Sequence, residues 1–315
     1  MEQRAGAPGP PKSQDSGVIQ VEQLTKIYGA TTAIDHLDFQ VAKGEIVGFL
    51  GENGAGKSTT MRILAGSLGA TSGRATIGGM DVSSRPREVK RMIGYLPEFP
   101  PLYTDMTVRQ YLLFCARIKG TAKPAAAVDR VVEQVALKSV AHRLIDHLSK
   151  GYRQRVGIAQ ALVHEPKVLI LDEPSSGLDP AQRVEIRQLV KQLASGDVTV
   201  ILSTHVLPEV EALCERVIIV HRGRIVAQDR IERLAGTGTS VRLRVERPTP
   251  ELAEQLSRVP GVSAVDPQAD GVYAVTASAD VRAEVARVAV DAGLLELGGS
   301  RGLEDVFLQL TRGAV

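Results

Sequence analysis

Gly51-Glu52-Asn53-Gly54-Ala55-Gly56-Lys57-Ser58 is the stretch from which the fold is read. It fills the pattern G-x-x-x-x-G-K-[ST], and its surroundings meet the pattern's requirements. Before it, Ile46 to Leu50 is a continuous apolar run of the kind found in a buried strand. After it, Met61, Leu64 and Ala65 recur at helical spacing from Lys57 onward. Glycines let backbone N–H groups converge on phosphate oxygens without side-chain obstruction, and the helix N-terminus adds a favourable dipole. Lys57 is expected to reach the β- and γ-phosphates of a nucleoside triphosphate and the Ser58 hydroxyl to ligate Mg²⁺. The candidate nucleotide-binding residues of this loop are Gly51, Asn53, Gly54, Ala55, Gly56, Lys57, Ser58 and Thr59.

Further along, Val168-Leu169-Ile170-Leu171-Asp172-Glu173 is an apolar strand ending in two acids. Alone this is a weak signal, because strands often end in acids. Beside a phosphate loop it gains meaning. Asp172 falls where a metal ion bound to the phosphates would sit, and Glu173 is a candidate base for polarising a water in line with the γ-phosphate.

The reading narrows at Leu148-Ser149-Lys150-Gly151-Tyr152-Arg153-Gln154-Arg155. Ser149 is a natural helix N-cap and Gly151 permits close backbone approach, so the pair presents donors and a positive helix end. The stretch resembles the LSGGQ-type signature of ABC transporter ATPases, with Lys150 and Tyr152-Arg153 as variations. Other motifs of that family follow in order. Tyr28 resembles the aromatic that stacks on adenine. Ser176-Gly177-Leu178-Asp179 resembles the loop that crosses the dimer interface, and His205 in Ser203-Thr204-His205 resembles the switch histidine at the γ-phosphate. The family usually has Gln where Ile93-Gly94-Tyr95-Leu96-Pro97-Glu98 places Glu98. A carboxylate still ligates Mg²⁺ but lacks the amide's donor, and it adds negative charge near phosphate.

The resemblance covers residues 18–230, and the variants IGYLPE, LSKGYRQRVGIAQAL and the closing LEDVFL look most like the type-two exporter group (drug, sodium, polysaccharide and gliding-motility systems). It implies an ATP-binding and ATP-hydrolysing subunit, with ATP and Mg²⁺ as cofactors and Ser58, Asp172 and Glu98 as metal-binding residues. It also implies a homodimer in which each site takes Lys57, Ser58, Asp172, Glu173 and His205 from one chain and Ser149 and Gly151 from the other. The motion passes to a separate integral-membrane permease through the groove near Glu98 and a helical region around residues 99–118. The expected location is the cytoplasmic face of the plasma membrane. Two other readings stand beside it: a soluble ABC ATPase of DNA repair or translation, and an importer subunit. Repair members carry long coiled coils and translation members two cassettes, and neither feature is found in this sequence.

Composition agrees with that class. The 315 residues are 43% hydrophobic and 23% charged, an ordinary globular balance. A net charge of +2, 3% aromatics and no Trp argue against a nucleic-acid surface, so no nucleic acid is expected as partner. No apolar run approaches the ~20 residues that span a bilayer. Cys115 and Cys214 make no metal spacing and read as reduced thiols.

The expected architecture is α/β. Residues 1–17 form a polar, Pro- and Gly-rich disordered tail, and residues 18–235 an ABC-type phosphate-loop ATPase domain with a helical subdomain at about 88–160. Asp179-Pro180 reads as an N-cap with Pro at the first helical position. After a boundary at Gly236-Thr237-Gly238, residues 239–315 alternate as βαββαβ plus a final helix, a small accessory α+β domain.

Overall fold

The structure, a computed structural model, describes residues 17–194, 197–234, 239–299 and 303–312. The expected tail up to residue 16 and the expected boundary at Gly236-Thr237-Gly238 lie outside the described residues. In chain order the elements up to the first helical segment are β1 (Ile19–Tyr28), β2 (Thr31–Val41), β3 (Ile46–Leu50), α1 (Lys57–Leu64), β4 (Ser72–Ile77), β5 (Met80–Asp81), α2 (Pro86–Met92) and β6 (Ile93–Leu96). There follow α3 (Val108–Ile118), α4 (Pro124–Gln134), α5 (Lys150–Leu162), β7 (Val168–Asp172), α6 (Pro180–Ala194), β8 (Thr199–Thr204), α7 (Leu207–Leu213), β9 (Arg216–His221), β10 (Arg224–Arg230) and α8 (Ile231–Leu234). The last third holds β11 (Thr239–Val245), α9 (Pro250–Ser257), β12 (Val262–Pro267), β13 (Val272–Ala277), α10 (Arg282–Ala289), β14 (Leu294–Gly299) and α11 (Leu303–Arg312).

The chain divides into two compact units. The first comprises Met1–Ile46, Gly54–Ser203 and Arg222–Arg224; the second comprises Val47–Asn53, Thr204–His221 and Ile225–Val315. In the first unit, β6, β7 and β8 run parallel, with Ile93 opposite Val168, Leu96 opposite Leu171, and Asp172 opposite Ser203. All of β7 and β8 is buried, which is why both sequences are apolar without alternation. Parallel strands place their C-terminal ends at one edge, the edge where ligands bind in open α/β sheets. That edge carries Asp172, Ser203 and the residues after Leu96.

A second sheet of this unit, in the order β2-β1-β4-β5, is antiparallel. Its strands β4 and β5, like the helix α2, leave little trace in the sequence. Only the last three residues of β4 are buried, and α2 buries Val89 alone, so neither shows enough apolar period to be read. The helical segment expected around residues 99–118 starts later, at Val108. Pro97, Pro100 and Pro101 disfavour helix before it, and a capping box between Thr107 and Gln110 starts α3. Its apolar face (Val108, Tyr111, Leu112, Cys115) is buried, as is that of α4 (Val128, Val131, Val132).

In the second unit β3 pairs in parallel with β9, and β10 lies beyond β9. Helix α7 rests on β3 at Gly48, where a side chain would meet Val210 Cγ1 at 2.8 Å. The last third forms an antiparallel sheet in the order β12-β13-β11-β14. This is the βαββαβ arrangement, with Leu252, Leu256, Val285 and Ala289 of its two helices packed on Val241, Leu243 and Val275. Helix α11 packs on α7 and α8, and its Leu303 N–H donates to Glu211 Oε1 at 3.2 Å. No helix among the described residues is long and apolar enough to cross a membrane.

Candidate active site

Helix α1 begins at Gly56, whose φ of 102° lies in the region that favours glycine. A β-carbon there would also meet the Ala33 carbonyl oxygen at 2.6 Å, so the position is closed to other residues twice over. Thr60 closes the first turn, its N–H and its hydroxyl donating to the Gly56 carbonyl at 2.9 and 3.0 Å. No side chain caps the helix and no acid stands in its first turn, so nothing offsets the positive end that favours an anion. Glu52, Asn53 and Gly54 are exposed, Ser58 and Thr59 half-buried, and Gly51, Ala55, Gly56 and Lys57 buried. Gly51, Glu52 and Asn53 belong to the second unit, where Glu52 Oε2 lies 3.9 Å from His221 Nδ1.

Beneath the first turn of α1 the structure brings together four side chains that the sequence had only placed in order. Lys57 Nζ lies 3.5 Å from Glu173 Oε1, and both side chains are more than nine-tenths buried. Ser58 Oγ donates to Asp172 Oδ1 at 3.1 Å. A second hydroxyl, Ser203 Oγ, donates to the same oxygen from near the end of β8. Burial raises the Asp172 carboxyl above the ordinary carboxylate range, the hydrogen bonds from Ser203 and Ser58 work against that rise, and the Glu173 charge adds to it. Glu173 has φ 49°, a left-handed conformation uncommon outside glycine. Its N–H donates to the Ser203 carbonyl at 3.0 Å, and its own carbonyl accepts from Ser176 N–H at 3.0 Å. Strain held in place this way is a feature of functional sites.

Ser203 is the residue that sequence reasoning passed over. Its one local signal is a polar residue next to the end of a fully buried strand. Glu98 does not join the cluster: it is half-buried two residues past β6 and makes no hydrogen bond or ion pair with any described residue. Tyr28 ends β1 and is 45% exposed, with Lys26 Nζ 5.1 Å from its ring centroid. His205 is exposed in the second unit, after Thr204, whose hydroxyl donates to the buried Glu209 at 3.1 Å.

Ser149 and Gly151 lie at the start of α5. Ser149 Oγ accepts from Tyr152 N–H at 3.4 Å, the N-cap that the sequence implied. Neither residue hydrogen-bonds to the phosphate loop of its own chain. Instead they line a separate cavity of about 410 Å³ with Tyr152, Arg155, Gln182 and Glu185. Gln182 covers Gly151 so closely that a β-carbon there would lie 2.8 Å from its Cδ. Asp179 caps α6 through Gln182 N–H at 2.9 Å, and the Lys150 ammonium sits against Gly177.

The cluster of Ser58, Asp172, Lys57 and Glu173 offers hard oxygen donors and a buried cation beside a helix start that no side chain caps, a set suited to phosphate oxygens and a divalent metal. Comparison with known proteins gives a consistent result. Residues 34–176 match the family described as ABC transporter. The bacitracin transport ATP-binding protein BcrA of Bacillus licheniformis is 42% identical over 214 residues, 68% of this chain and 70% of that protein. Two relatives align over nearly their whole length. The Nod factor export ATP-binding protein I of Paraburkholderia xenovorans is 35% identical, covering 93% of this chain and 96% of its own. The daunorubicin resistance ATP-binding protein DrrA2 of Streptomyces coeruleorubidus is also 35% identical, covering 94% and 96%. Among solved structures, an ATP-binding subunit of an ABC transporter superposes with a TM-score of 0.63 at 30% identity, over 69% of this chain and 91% of that one. The ADP conformation of MJ1267, an ATP-binding cassette, does so with 0.62 at 26%, over 68% and 91%.

Proposed function

The chain belongs to the ABC transporter family of ATP-binding proteins, and from that premise we propose that it hydrolyses ATP as the nucleotide-binding subunit of an exporter. The observation that carries this reading is the buried pairing of Lys57 with Glu173 and of Ser58 with Asp172 under the uncapped start of α1. Export is supported by the two relatives, named for Nod factor export and daunorubicin resistance, that align through the final α+β segment as well as the ATPase segment.

In this reading the free N–H groups of α1 and the Lys57 ammonium hold the β- and γ-phosphates of ATP. Tyr28 stacks on the base. Ser58 and Asp172, with Glu98 as a further oxygen donor, would hold Mg²⁺, which supplies charge neutralisation of the phosphoryl oxygens when bound. Once phosphate draws Lys57 away, the Glu173 carboxylate is free to accept a proton from the attacking water. His205 contacts the γ-phosphate. Ser149 and Gly151 line a cavity that includes no residue of their own phosphate loop, which supports their use by a second copy of the chain. Two subunits then close head to tail on two nucleotides, and Ser149 N-caps a helix whose positive end meets the partner's γ-phosphate. Closure is transmitted to an integral-membrane permease, and the protein works on the cytoplasmic face of the membrane. The ATPase domain covers residues 18–235, its helical subdomain about 88–160, and residues 239–315 are an accessory domain.

The test is nucleotide binding and turnover by the purified chain. Wild type is expected to bind ATP and release phosphate in a Mg²⁺-dependent reaction, and Lys57→Ala to lose nucleotide affinity. A wild-type chain that binds ATP no better than Lys57→Ala would overturn the proposal.

A further inference from the structure

A second cavity, of about 730 Å³, lies in the first unit and shares no lining residue with the phosphate loop or with the Ser149 cavity. It is bounded by the end of α2, the turn from α3 to α4, and the residues after α5. Its walls are cationic. Arg91, Lys119, Lys123 and Arg130 line it, against the single carboxylate of Glu165, which is already paired with Arg130 at 2.5 Å. Arg91, Lys119 and Lys123 have no ion-pair partner among the described residues.

Three further observations point the same way. Helix α4 starts at this cavity with no side-chain cap and no acid in its first turn, and Ala126 and Ala127 of that end line the wall. Its leading N–H groups therefore present an unbalanced positive end. Two polar atoms of lining residues, Thr121 Oγ1 and His164 Nδ1, are buried without any hydrogen-bond partner, an arrangement that costs stability unless something occupies the site. The other ring nitrogen of His164 donates to the Ile93 carbonyl at 2.9 Å, so the unpaired Nδ1 is an acceptor, suited to the P–OH of a partly protonated phosphoryl group, while the Thr121 hydroxyl can donate to its oxyanion. Crowding of positive charge also registers on the histidine. Burial and the neighbouring Lys119 push His164 down to about 4, and burial brings Lys119 down to about 8.

We propose that this cavity binds a small phosphate-bearing anion, separately from the ATP site. Its size suits a small ligand. Three cations without an ion-pair contact call for a ligand of more than one negative charge, and phosphoryl groups match both ammonium and guanidinium donors. No Phe, Tyr or Trp lines the cavity, so it offers no platform for a nucleobase. The shared chemistry is the phosphoryl oxyanion, whose source is either a free phosphate compound or a phospholipid headgroup.

The experiment uses the full chain carrying Lys57→Ala, which in the reading above removes phosphate binding at α1. Inorganic pyrophosphate is titrated into it by calorimetry at near-physiological salt, and in parallel the chain is sedimented with phosphatidylcholine vesicles containing phosphatidic acid. One-to-one pyrophosphate binding, weakened about tenfold or more by Lys123→Glu and by Arg91→Glu, supports the proposal with a soluble ligand. Vesicle binding alone, lost in the same two variants, supports it with a lipid source. Both residues are exposed, and unchanged thermal melting of the ligand-free variants checks that the fold is kept. Absence of binding to either probe, or binding that both charge reversals leave unaltered, overturns it. If Lys57→Ala still bound ATP at full strength, the reading of α1 would fail while this result stood, because the cavity is read through its own variants.

Discussion

Lys57 and Glu173 form a buried ion pair: the ammonium and the carboxylate are 3.5 Å apart. The pair keeps two largely buried charges satisfied, and in the proposed function it also occupies the residue assigned as base. In that function, phosphate oxygens binding at α1 would compete for Lys57 and so release Glu173 for water. Removing the charge while keeping the shape separates the two roles. Glu173→Gln is expected to bind ATP, to hydrolyse it at least ~100-fold more slowly, the usual contribution of a general base, and to accumulate as an ATP-bound dimer. Phosphate release and size-exclusion chromatography with ATP measure both; wild-type turnover would remove Glu173 from the role.

Asp172 gives a pH prediction. Its carboxyl is raised by burial, and the hydroxyls of Ser203 and Ser58 hold the rise in check by donating to the ionised form. Ionised Asp172 is the form that can hold a metal, so activity falls as pH drops through its folded pKa, earlier than for a carboxyl in water. Ser203→Ala removes one stabilising donor and moves the value further up. The acid limb of the ATPase profile should therefore shift to higher pH in Ser203→Ala, with the alkaline limb unmoved. For stability the sign is opposite: a native pKa above the unfolded one means the ionised group opposes folding above that pH, and protonation relieves it. An acid limb identical in wild type and variant would show that Asp172 does not set it.

Gly151 separates a fold role from a site role. A β-carbon there meets only the far end of Gln182, a flexible side chain that can shift. Gly151→Ala is therefore expected to melt within a few degrees of wild type. It nevertheless narrows the cavity that Ser149 lines, so ATP-dependent dimerisation and turnover should fall together while nucleotide binding to the monomer persists. A variant with full turnover would argue against use of this surface by a second copy.

The legible parts of the fold and the candidate site are those where one physical demand dominates a short stretch. A buried parallel strand must be apolar on both faces, which marks Ile46 to Leu50 and Val168 to Leu171. A loop cradling phosphate needs glycine where backbone turns left-handed, which marks Gly54 and Gly56. The Ser203 contact with Asp172 was hidden because it depends on the register between β7 and β8, which no local pattern encodes. Strands such as β4 and β10 were hidden for a different reason: they are half-exposed, and arginines and glycine break their alternation. The basic cavity is assembled from the end of α2, the α3–α4 turn with the start of α4, and the residues after α5, segments separated in sequence and each unremarkable alone.

Glu211 yields the last prediction. It lies in α7, two residues after buried Glu209, and its Oε1 accepts the N–H of Leu303 at the first position of α11 at 3.2 Å. A carboxylate accepting there stands in for an N-cap, satisfying an orphan donor and opposing the positive end of the helix. Caps of this kind contribute ~1 kcal/mol, which corresponds to a fall in Tm of roughly 1–2 °C in a chain of 315 residues. Glu211→Ala should show that loss, and Glu211→Gln, which keeps an accepting oxygen, about half or less of it. Because α7 directly follows the segment carrying Thr204 and His205, loosening α11 should also raise hydrogen exchange in residues 204–213. If both variants melt like wild type and exchange there is unchanged, α11 does not brace α7 and the hydrogen bond carries no measurable energy.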